Sequence, residues 1–461
     1  MKRVITVMAL ALIAAAFAFF IFRSTPRPDI GFFSPSGVPE ELVKKTRFAA
    51  INPITPAQLD DNLQRIRRTS FRLSIDLGST VNPAEAPTAK LSLRYKAPDG
   101  LVRTKAFAPQ KNSKILAIPA DAVLRERLAP FLDVMARYPR NIGTLFLADE
   151  PYLNGITKTE MERAGKLVRR ELDVRGLRKV KLGVIFSGGM FDSQFAHMID
   201  ERSGAYVRDI DNHHAKSDSE NPNAFQAWVN TINTNRLATY DRAGNMYVDG
   251  GLPRGFDVYG FDFYLSTMLL DSLHEHTLDW LAKHYPQYGC SQFADQSMTR
   301  IRSRLSFFHD GFVQQGEQYR IKDREILDAI YECRMGAVTT MLKKAASDSR
   351  AQLLMISESS NNGVFEFDPA GNIKPEQPDL LVESRVLDEV RRAQSFYERN
   401  ANTYSAGLLY FTYKNEYDSS IKLHIGGASA MPSVLTDIYR FAAGTPSTAE
   451  SLCLVRRLPN R

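Results

Sequence analysis

The sequence predicts an α/β protein whose strands and helices close into a (β/α)8 barrel. Short apolar runs alternate with longer amphipathic segments along most of the chain, which is typical of parallel βα units. In addition, two apolar runs stop on an acid, since residues 145–148 lead into Asp149-Glu150 and residues 353–357 lead into Glu358. Such barrels carry their functional carboxylates at the C-terminal ends of strands. A doubly wound open sheet is the alternative, but the glycine pattern that cradles dinucleotide phosphates is absent from the sequence.

The composition is that of an ordinary globular protein. Hydrophobic residues make up 44% of the 461 residues and charged residues 24%, which is ample for a full core. The net charge is +7, but four basic residues and no acid lie in residues 1–28, so the rest of the chain is close to balanced. The sequence has no basic stripe with interleaved aromatic residues, which argues against a nucleic-acid partner.

An uncharged segment opens the chain at residues 4–22. As a helix it would be roughly 28 Å long, close to the thickness of the hydrocarbon core of a membrane. Lys2 and Arg3 precede it, which predicts a cytoplasmic N-terminus and an exported body. Residues 16–18 match the small-x-small pattern of a signal-peptide cleavage site. We expect residues 1–28 to be an uncleaved membrane anchor, with a cleaved signal peptide as the alternative; both place the globular part on the periplasmic or extracellular side.

The elements that follow are predicted from caps, alternation and turn residues. Prolines between residues 26 and 39 indicate an extended linker, which we place at 29–47. Thr55 is a good N-cap and Pro56 suits the first helical position, so we predict a helix over 55–68.

Alternation then continues along the chain. Residues 71–77 alternate apolar and polar side chains, as expected of a strand with one polar face. Pro98-Asp99-Gly100 marks the turn of a hairpin over 90–107. Further strands are predicted at 114–118, 142–148, 180–187, 256–263, 352–357 and 407–413, with an ambiguous apolar piece at 305–309. Further helices are predicted at 121–137, 158–174, 190–202, 267–284, 323–346, 379–400 and 433–442. The barrel domain is therefore expected over 48–443, with a hairpin insertion at 88–110, a loop insertion at 208–254 and a tail at 444–461.

Side-chain parity along the strands predicts which residues face the inside of the barrel. The outer face of a barrel strand packs against helices and is apolar, so polar strand residues are expected to point inward. Leu145 and Leu147 share the outer face, which leaves Ala148 and Glu150 on the inner one. Glu150 is therefore expected over the mouth of the barrel.

The same rule applies to residues 71–77. It directs Arg72, Ser74 and Asp76 inward, and Arg72 is then expected to pair with a carboxylate of the mouth.

The motif Asp149-Glu150-Pro151 resembles the acid/base signature of the retaining glycoside hydrolases built on (β/α)8 barrels. In that clan Asn-Glu-Pro usually ends the fourth strand and a second Glu ends the seventh. The strand at 142–148 counts as the fourth and that at 352–357 as the seventh, provided that 305–309 is not a barrel strand. The resemblance implies that Glu150 is the general acid/base and Glu358 the nucleophile. The chain departs from the pattern at Asp149, which stands where the clan has Asn.

Two carboxylates suit glycosidic cleavage because one must donate a proton to the leaving oxygen while the other is ionised. A separation of about 5–5.5 Å between them implies retention of configuration, and about 6.5–9.5 Å implies inversion. Only two tryptophans are present to stack on sugar rings, and Trp228 is the better platform candidate. Other residues at strand ends are predicted to bind substrate around the same mouth: Asp149, Arg72, Asp76, Tyr259, Asp262, Tyr264, Tyr413 and Glu416.

Metal and cysteine chemistry receive little support from the sequence. The acids and histidines of residues 209–214 are adjacent, and neighbouring imidazoles rarely reach one ion without a third ligand, so we predict a solvated loop and no metal. Cys290, Cys333 and Cys453 are widely spaced. One disulfide with a free thiol and three reduced thiols both remain open.

These observations predict a membrane-tethered glycoside hydrolase-like protein that cleaves or remodels an envelope or exported polysaccharide without a cofactor. The alternative is an inactive barrel that binds glycan or an assembly partner at the membrane surface. The two strand-end glutamates favour the first interpretation, while Asp149 and the scarcity of tryptophan favour the second. The sequence leaves the oligomeric state open.

Overall fold

The protein is described from a computed structural model. The description covers residues 28–81, 91–96, 102–107, 118–151, 156, 158–187, 239–240, 245–247, 252–263, 282, 285–293, 312–315, 318–321, 324–346, 350–361, 379–418 and 423–445.

Eight strands close into a barrel in which every neighbouring pair is parallel. The predicted (β/α)8 barrel is therefore confirmed. The strands follow one another around the barrel in chain order, and the last pairs with the first. They are β1 (Ile30–Phe33), β2 (Phe48–Ile51), β3 (Arg72–Asp76), β4 (Ile142–Asp149), β5 (Lys181–Ser187), β6 (Val258–Phe263), β7 (Gln352–Glu358) and β8 (Gly407–Phe411).

The first barrel strand lies in the segment that was predicted to be a linker. β1 pairs with β8 on one side and with β2 on the other, so residues 29–47 do not form a linker and the barrel begins before residue 48. With only four residues, β1 is too short to show a clear alternation of apolar and polar side chains. The prolines on either side of it are typical of a loop, so the strand was not predicted.

Helices cover the outside of the barrel between the strands. Thr55 caps α2 as predicted, since its side chain accepts a hydrogen bond from the Gln58 N–H at 3.2 Å. On its inner face α2 buries Leu59, Leu63 and Ile66. The helices of the described residues are α1 (Glu40–Lys45), α2 (Pro56–Ile66), α3 (Gly78–Val81), α4 (Asp121–Arg137), α5 (Lys158–Val174), α6 (Arg324–Ala346), α7 (Asp379–Asn400) and α8 (Pro432–Ala442).

The two predicted insertions meet in one additional sheet. Strands Leu91–Lys96 and Val102–Phe107 pair antiparallel, which confirms the predicted hairpin. Strand Asn245–Tyr247 pairs with the first of them, so the β3–β4 and β5–β6 connections are joined by backbone hydrogen bonds. Strand Thr239–Tyr240 completes this four-stranded sheet.

The core has an inner and an outer layer. The inner cluster fills the barrel with side chains from β2, β4, β5, β6, β7 and β8, among them Phe48, Phe146 and Ile356. The outer cluster lies between the strands and the helices. Gly183 is required beside Phe146, because a Cβ atom there would lie 2.6 Å from that ring. The filled interior means that a ligand must bind at an end of the barrel.

Gly407 provides a stability test of the β1–β8 closure. Its φ of +111° is unfavourable for other residues, and a Cβ atom would lie 2.5 Å from the Asp29 carbonyl oxygen. We expect Gly407→Ala to lower the free energy of unfolding by roughly 3 kcal/mol or more, measured by urea denaturation. Gly255→Ala is the matched control, because Gly255 also has a positive φ (+89°) but no atom within 4 Å of its Cβ position. Equal losses in the two variants would contradict the close approach at β8.

A disulfide joins Cys290 to Cys333 of α6, with the two Cα atoms 5.0 Å apart and a sequence separation of 43 positions. This resolves the open question for two of the three cysteines. Closing a loop of this length constrains the unfolded chain. We therefore expect Cys290→Ala/Cys333→Ala to lose about 2–4 kcal/mol of stability, and reductant to lower the melting temperature of the wild type but not of this variant. Cys453→Ser is the control, and an equal loss in that variant would contradict the assignment.

Several predicted elements lie outside the described residues. They are the N-terminal segment 4–22, the helices at 190–202 and 267–284 (apart from Ala282) and the apolar piece at 305–309. The strand at 114–118 falls there too, except for Ile118, which is not in a strand. Within the ranges that the structure covers, no helix is both long and apolar enough to cross a membrane.

Candidate functional site

The C-terminal ends of the barrel strands form the mouth, and four of them bring a carboxylate to its inner face. Asp76 ends β3, Asp149 ends β4, Asp262 is the next-to-last residue of β6, and Glu358 ends β7. Strand register and the inner cluster place all four on the inner face, and we call them the acidic ring. The strand numbers also agree with the prediction, since Asp149 ends the fourth strand, Glu150 follows it and Glu358 ends the seventh.

A β-bulge in β4 changes which acid occupies the inner position. Phe146 pairs with Gly183 and Asp149 with Ile185, so β4 uses three steps where β5 uses two. Ile185 belongs to the inner cluster, and Asp149 therefore faces inward beside it. The predicted parity therefore fails at the end of β4, where Ala148 packs in the outer core and Asp149 faces inward. Glu150 follows the strand at the mouth, half-buried, with a φ of +45°, and its place over the mouth stays a prediction.

Asp76 is buried at the mouth and held by neighbouring strands. The Gly78 N–H donates a hydrogen bond to its Oδ1 at 2.8 Å, and the Asn52 amide donates one to its Oδ2 at 3.1 Å. Burial raises the pKa of the Asp76 carboxyl to about 6, although both hydrogen bonds favour the charged form. Asn52 follows β2 directly, and it was missed from the sequence because β2 was not predicted.

Asp149 is accessible to solvent from the mouth, while protein atoms crowd its other sides. This loss of hydration raises the pKa of its carboxyl well above the usual range, and the nearby charges of Glu150 and Asp76 raise it further. Three acids from β3 and β4 therefore compete for protons in a small volume. At neutral pH a proton is held more readily by Asp149 than by an ordinary aspartate.

Glu358 is fully buried, with 0% of its surface exposed. Its Oε1 accepts hydrogen bonds from the N–H of Ser360, at 3.0 Å, and from the Ser360 hydroxyl. Its Oε2 is buried and has no hydrogen-bond partner among the described residues. Burial raises the pKa of the Glu358 carboxyl to about 8, opposed by the Ser360 hydrogen bonds and assisted by the charge of Glu389. Glu358 is therefore mainly protonated at pH 7.

The remaining member of the acidic ring, Asp262, is 6% exposed. It pairs in register with Ser187 of β5 and Ile356 of β7, so it lies on the wall between β4 and β7. The structure thus places Asp262 among the strand-end acids, as the sequence predicted.

An aromatic pair on β8 and β1, next to the Glu358 end of β7, was missed from the sequence. Phe33 at the end of β1 and Phe411 at the end of β8 stack with ring centroids 5.5 Å apart and an interplanar angle of 24°. Both side chains are partly exposed. Recognising β1 would have revealed this pair, because Gly31 and Phe33 alternate with the buried Ile30 and Phe32.

Three predicted mouth residues lie elsewhere. Arg72 is the first residue of β3, so it lies at the opposite end of the barrel, where its Nη2 is 2.9 Å from Asp29 Oδ2. Tyr259 faces the outer core and donates a hydrogen bond to the Pro253 carbonyl at 2.6 Å. Tyr413 also packs in the outer core, and its hydroxyl donates to Glu41 of α1 at 3.2 Å.

The other predicted site residues are only partly described. Glu416 follows β8 on the mouth side, and its Oε1 accepts a hydrogen bond from the Thr412 hydroxyl at 3.0 Å. Trp228, Tyr264 and the acid- and histidine-rich residues 209–214 lie outside the described residues. Among the residues that are described, no three of His, Cys, Asp or Glu are arranged to hold a metal ion.

Comparison with known proteins finds only distant similarity to solved structures. No protein-family model and no curated protein matches the chain. Solved structures of similar shape include a fungal β-1,4-galactanase, at 10% identity over 80% of this chain and 79% of the other, with a TM-score of 0.33. They also include a family 1 β-glucosidase from Thermotoga maritima, at 8% identity over 88% and 85%, with a TM-score of 0.35. A plant β-glucan endohydrolase matches at 10% identity over 87% and 95%, with a TM-score of 0.34.

These structures are glycoside hydrolases, the class that the strand-end motifs resemble. The resemblance is distant, and at these identities and scores it carries no argument about activity. The barrel is established by the strand pairing itself.

Proposed function

We propose that the chain is a glycoside hydrolase-like protein that cleaves or remodels a polysaccharide with carboxylates of β4 and β7. The observation that carries the proposal is the group of carboxylates at one mouth, namely the acidic ring and Glu150 directly after β4, which are held in unequal environments. Glycosidic cleavage needs this inequality, because one carboxyl must keep its proton while another is ionised.

Protonation supports an assignment of roles that reverses the one implied by the resemblance. Glu358, whose pKa is raised to about 8, keeps its proton at neutral pH and is the candidate general acid. Its Oε2, which has no partner in the described part of the chain, is the atom that would donate to a leaving oxygen once the chain covering it is displaced. Glu150 is the candidate base or nucleophile. Its negative charge raises the pKa of the neighbouring Asp149, so of these two carboxyls Asp149 is the one expected to take up a proton.

The burial of Glu358 favours a second candidate function. With 0% of its surface exposed, a substrate reaches Glu358 only by displacing the chain that covers it. A barrel that binds glycan without cleaving it, through Phe33, Phe411 and the exposed Asp149, needs no such displacement.

The two functions are separated by measuring binding and turnover together. The purified full-length chain is incubated with a panel of envelope polysaccharides, and new reducing ends and bound glycan are both quantified. The hydrolase proposal expects new reducing ends with the wild type and their loss in Glu150→Gln and Glu358→Gln with binding retained. Binding of a glycan by all three proteins with no new reducing ends in any would favour the second function.

We also propose that the globular part acts outside the cytoplasm, tethered by residues 4–22. The Cys290–Cys333 disulfide supports export, since disulfides persist in oxidising compartments. A membrane-impermeant protease applied to cells tests this localisation. We expect the protease to digest the globular part once the outer layers of the cell are opened. Full protection of the globular part until the inner membrane is broken would contradict the proposal.

A further inference from the structure

The end of the barrel opposite the mouth contains a small polar cavity, which we call the floor cavity. Its volume is about 40 Å³, and it lies among the N-terminal ends of the strands. Arg72 of β3 and Lys181 of β5 supply positive charge, Ser74 and Thr144 supply hydroxyl groups, and Asp29, just before β1, supplies a carboxylate. No residue of the acidic ring lines it.

The polar groups of the floor cavity are not satisfied by one another. Ser74 and Thr144 are more than nine-tenths buried, yet among the described residues neither hydroxyl has a hydrogen-bond partner. Arg72 uses one nitrogen for Asp29 Oδ2, and Lys181 donates one hydrogen bond to the Gln352 side chain. Several N–H donors of these two cations therefore remain available. These donors line a cavity that solvent can reach, so a ligand that enters it could accept hydrogen bonds from them.

The cavity also contains an acceptor that lacks a partner. Asp29 Oδ1 is buried and has no hydrogen-bond partner in the described structure. A ligand that satisfied the whole cavity would accept hydrogen bonds from the cations and hydroxyls and donate one to Asp29. Burial and the charge of Arg72 lower the pKa of Lys181, and the negative charge of a bound anion would stabilise the protonated amine against both effects.

We propose that the floor cavity binds a small oxyanion that carries a proton, of the class of hydrogen phosphate or bicarbonate. Its oxygens accept from Arg72, Lys181, Ser74 and Thr144, and its O–H donates to Asp29 Oδ1. The volume agrees with this class, because about 40 Å³ corresponds to roughly three ordered waters and the cavity is open on one side. The site is independent of the proposed hydrolase function.

Sulfate provides the decisive comparison because it matches phosphate in size and shape but carries no proton at pH 7.5. Binding of phosphate, bicarbonate, sulfate and chloride to the full-length chain is measured by calorimetry at constant ionic strength. We expect phosphate or bicarbonate to bind about tenfold more tightly than sulfate or chloride, since sulfate and chloride leave Asp29 unpaired and repel its charge. The arm that binds more tightly, phosphate or bicarbonate, identifies the anion.

Variants test the assignment of residues. Lys181→Met is expected to weaken binding of the preferred anion about tenfold, while Lys179→Met, which removes the same charge from an exposed position nearby, is expected to leave it unchanged. Asp29→Asn replaces the acceptor with an amide that can donate, and it is expected to abolish the preference over sulfate. No binding by the wild type, equal affinity for phosphate and sulfate, or equal weakening by the two lysine variants would overturn the proposal.

Discussion

Replacing Glu358 with glutamine is expected to flatten the pH dependence of the free energy of unfolding. The carboxyl is fully buried and its pKa is raised from 4.5 to about 8, because burial disfavours its charged form. Between these two values the folded chain holds a proton that the unfolded chain releases. Stability therefore falls as the pH rises through this window, by about 1.4 kcal/mol for each pH unit, and levels off above about pH 8.

The expected total for this group is on the order of 5 kcal/mol across the window from pH 4.5 to about 8. Glutamine keeps an acceptor for the Ser360 hydrogen bonds but has no proton to lose. Urea denaturation at pH 5, 6.5, 8 and 9 should therefore show a steep decline for the wild type and a shallower one for Glu358→Gln, whatever the offset between them. Glu126→Gln on the exposed face of α4 is the matched control and should follow the wild type. Parallel profiles for wild type and Glu358→Gln would show that the carboxyl ionises freely and is not buried as described.

The second large effect is expected at the bulge of β4. If Glu150 is the base or nucleophile, Glu150→Gln should lower kcat/KM on a cleaved polysaccharide by about 10²–10⁴-fold, because an amide can neither attack nor accept the proton. The loss should appear in kcat, with KM nearly unchanged.

Asp149→Asn is the informative companion variant, because the bulge gives Asp149 the inner position and Glu150 is the next residue of the chain. We expect it to keep more activity than Glu150→Gln and to shift the pH profile, since a charge that interacts with Asp76 and Glu150 is removed. The opposite ranking, with Asp149→Asn inactive and Glu150→Gln active, would assign the chemistry to Asp149.

The fold was predictable where both faces of a strand are buried. The sequence predicts β7 and α7 with nearly the bounds they have in the structure. β7 is an apolar run because it packs against helices on one face and against the barrel interior on the other, and α7 is amphipathic because one of its faces packs on the barrel. β1 was not predictable, since four residues between prolines give no period to detect.

The site was predictable in its strand ends but not in its geometry. Alternation of side chains shows which face of a strand a residue lies on, but not which end of the barrel it is close to. Arg72 was therefore expected at the mouth, although it begins β3 at the opposite end of the barrel. The bulge in β4 was hidden because residues 145–148 are apolar on both faces. The tyrosines Tyr259 and Tyr413 pack outward because their rings fill the layer between strands and helices.

The most direct test of the central claim, that carboxylates of β4 and β7 act on one glycosidic bond, is isotope incorporation. The full-length chain is incubated with isolated envelope polysaccharides in water enriched in the heavy oxygen isotope, and the products are analysed by mass spectrometry. We predict that new reducing ends carry one heavy oxygen at the anomeric carbon with the wild type and with Glu126→Gln. Glu150→Gln and Glu358→Gln should produce none. Labelled ends at the wild-type rate from both of these variants would contradict the account.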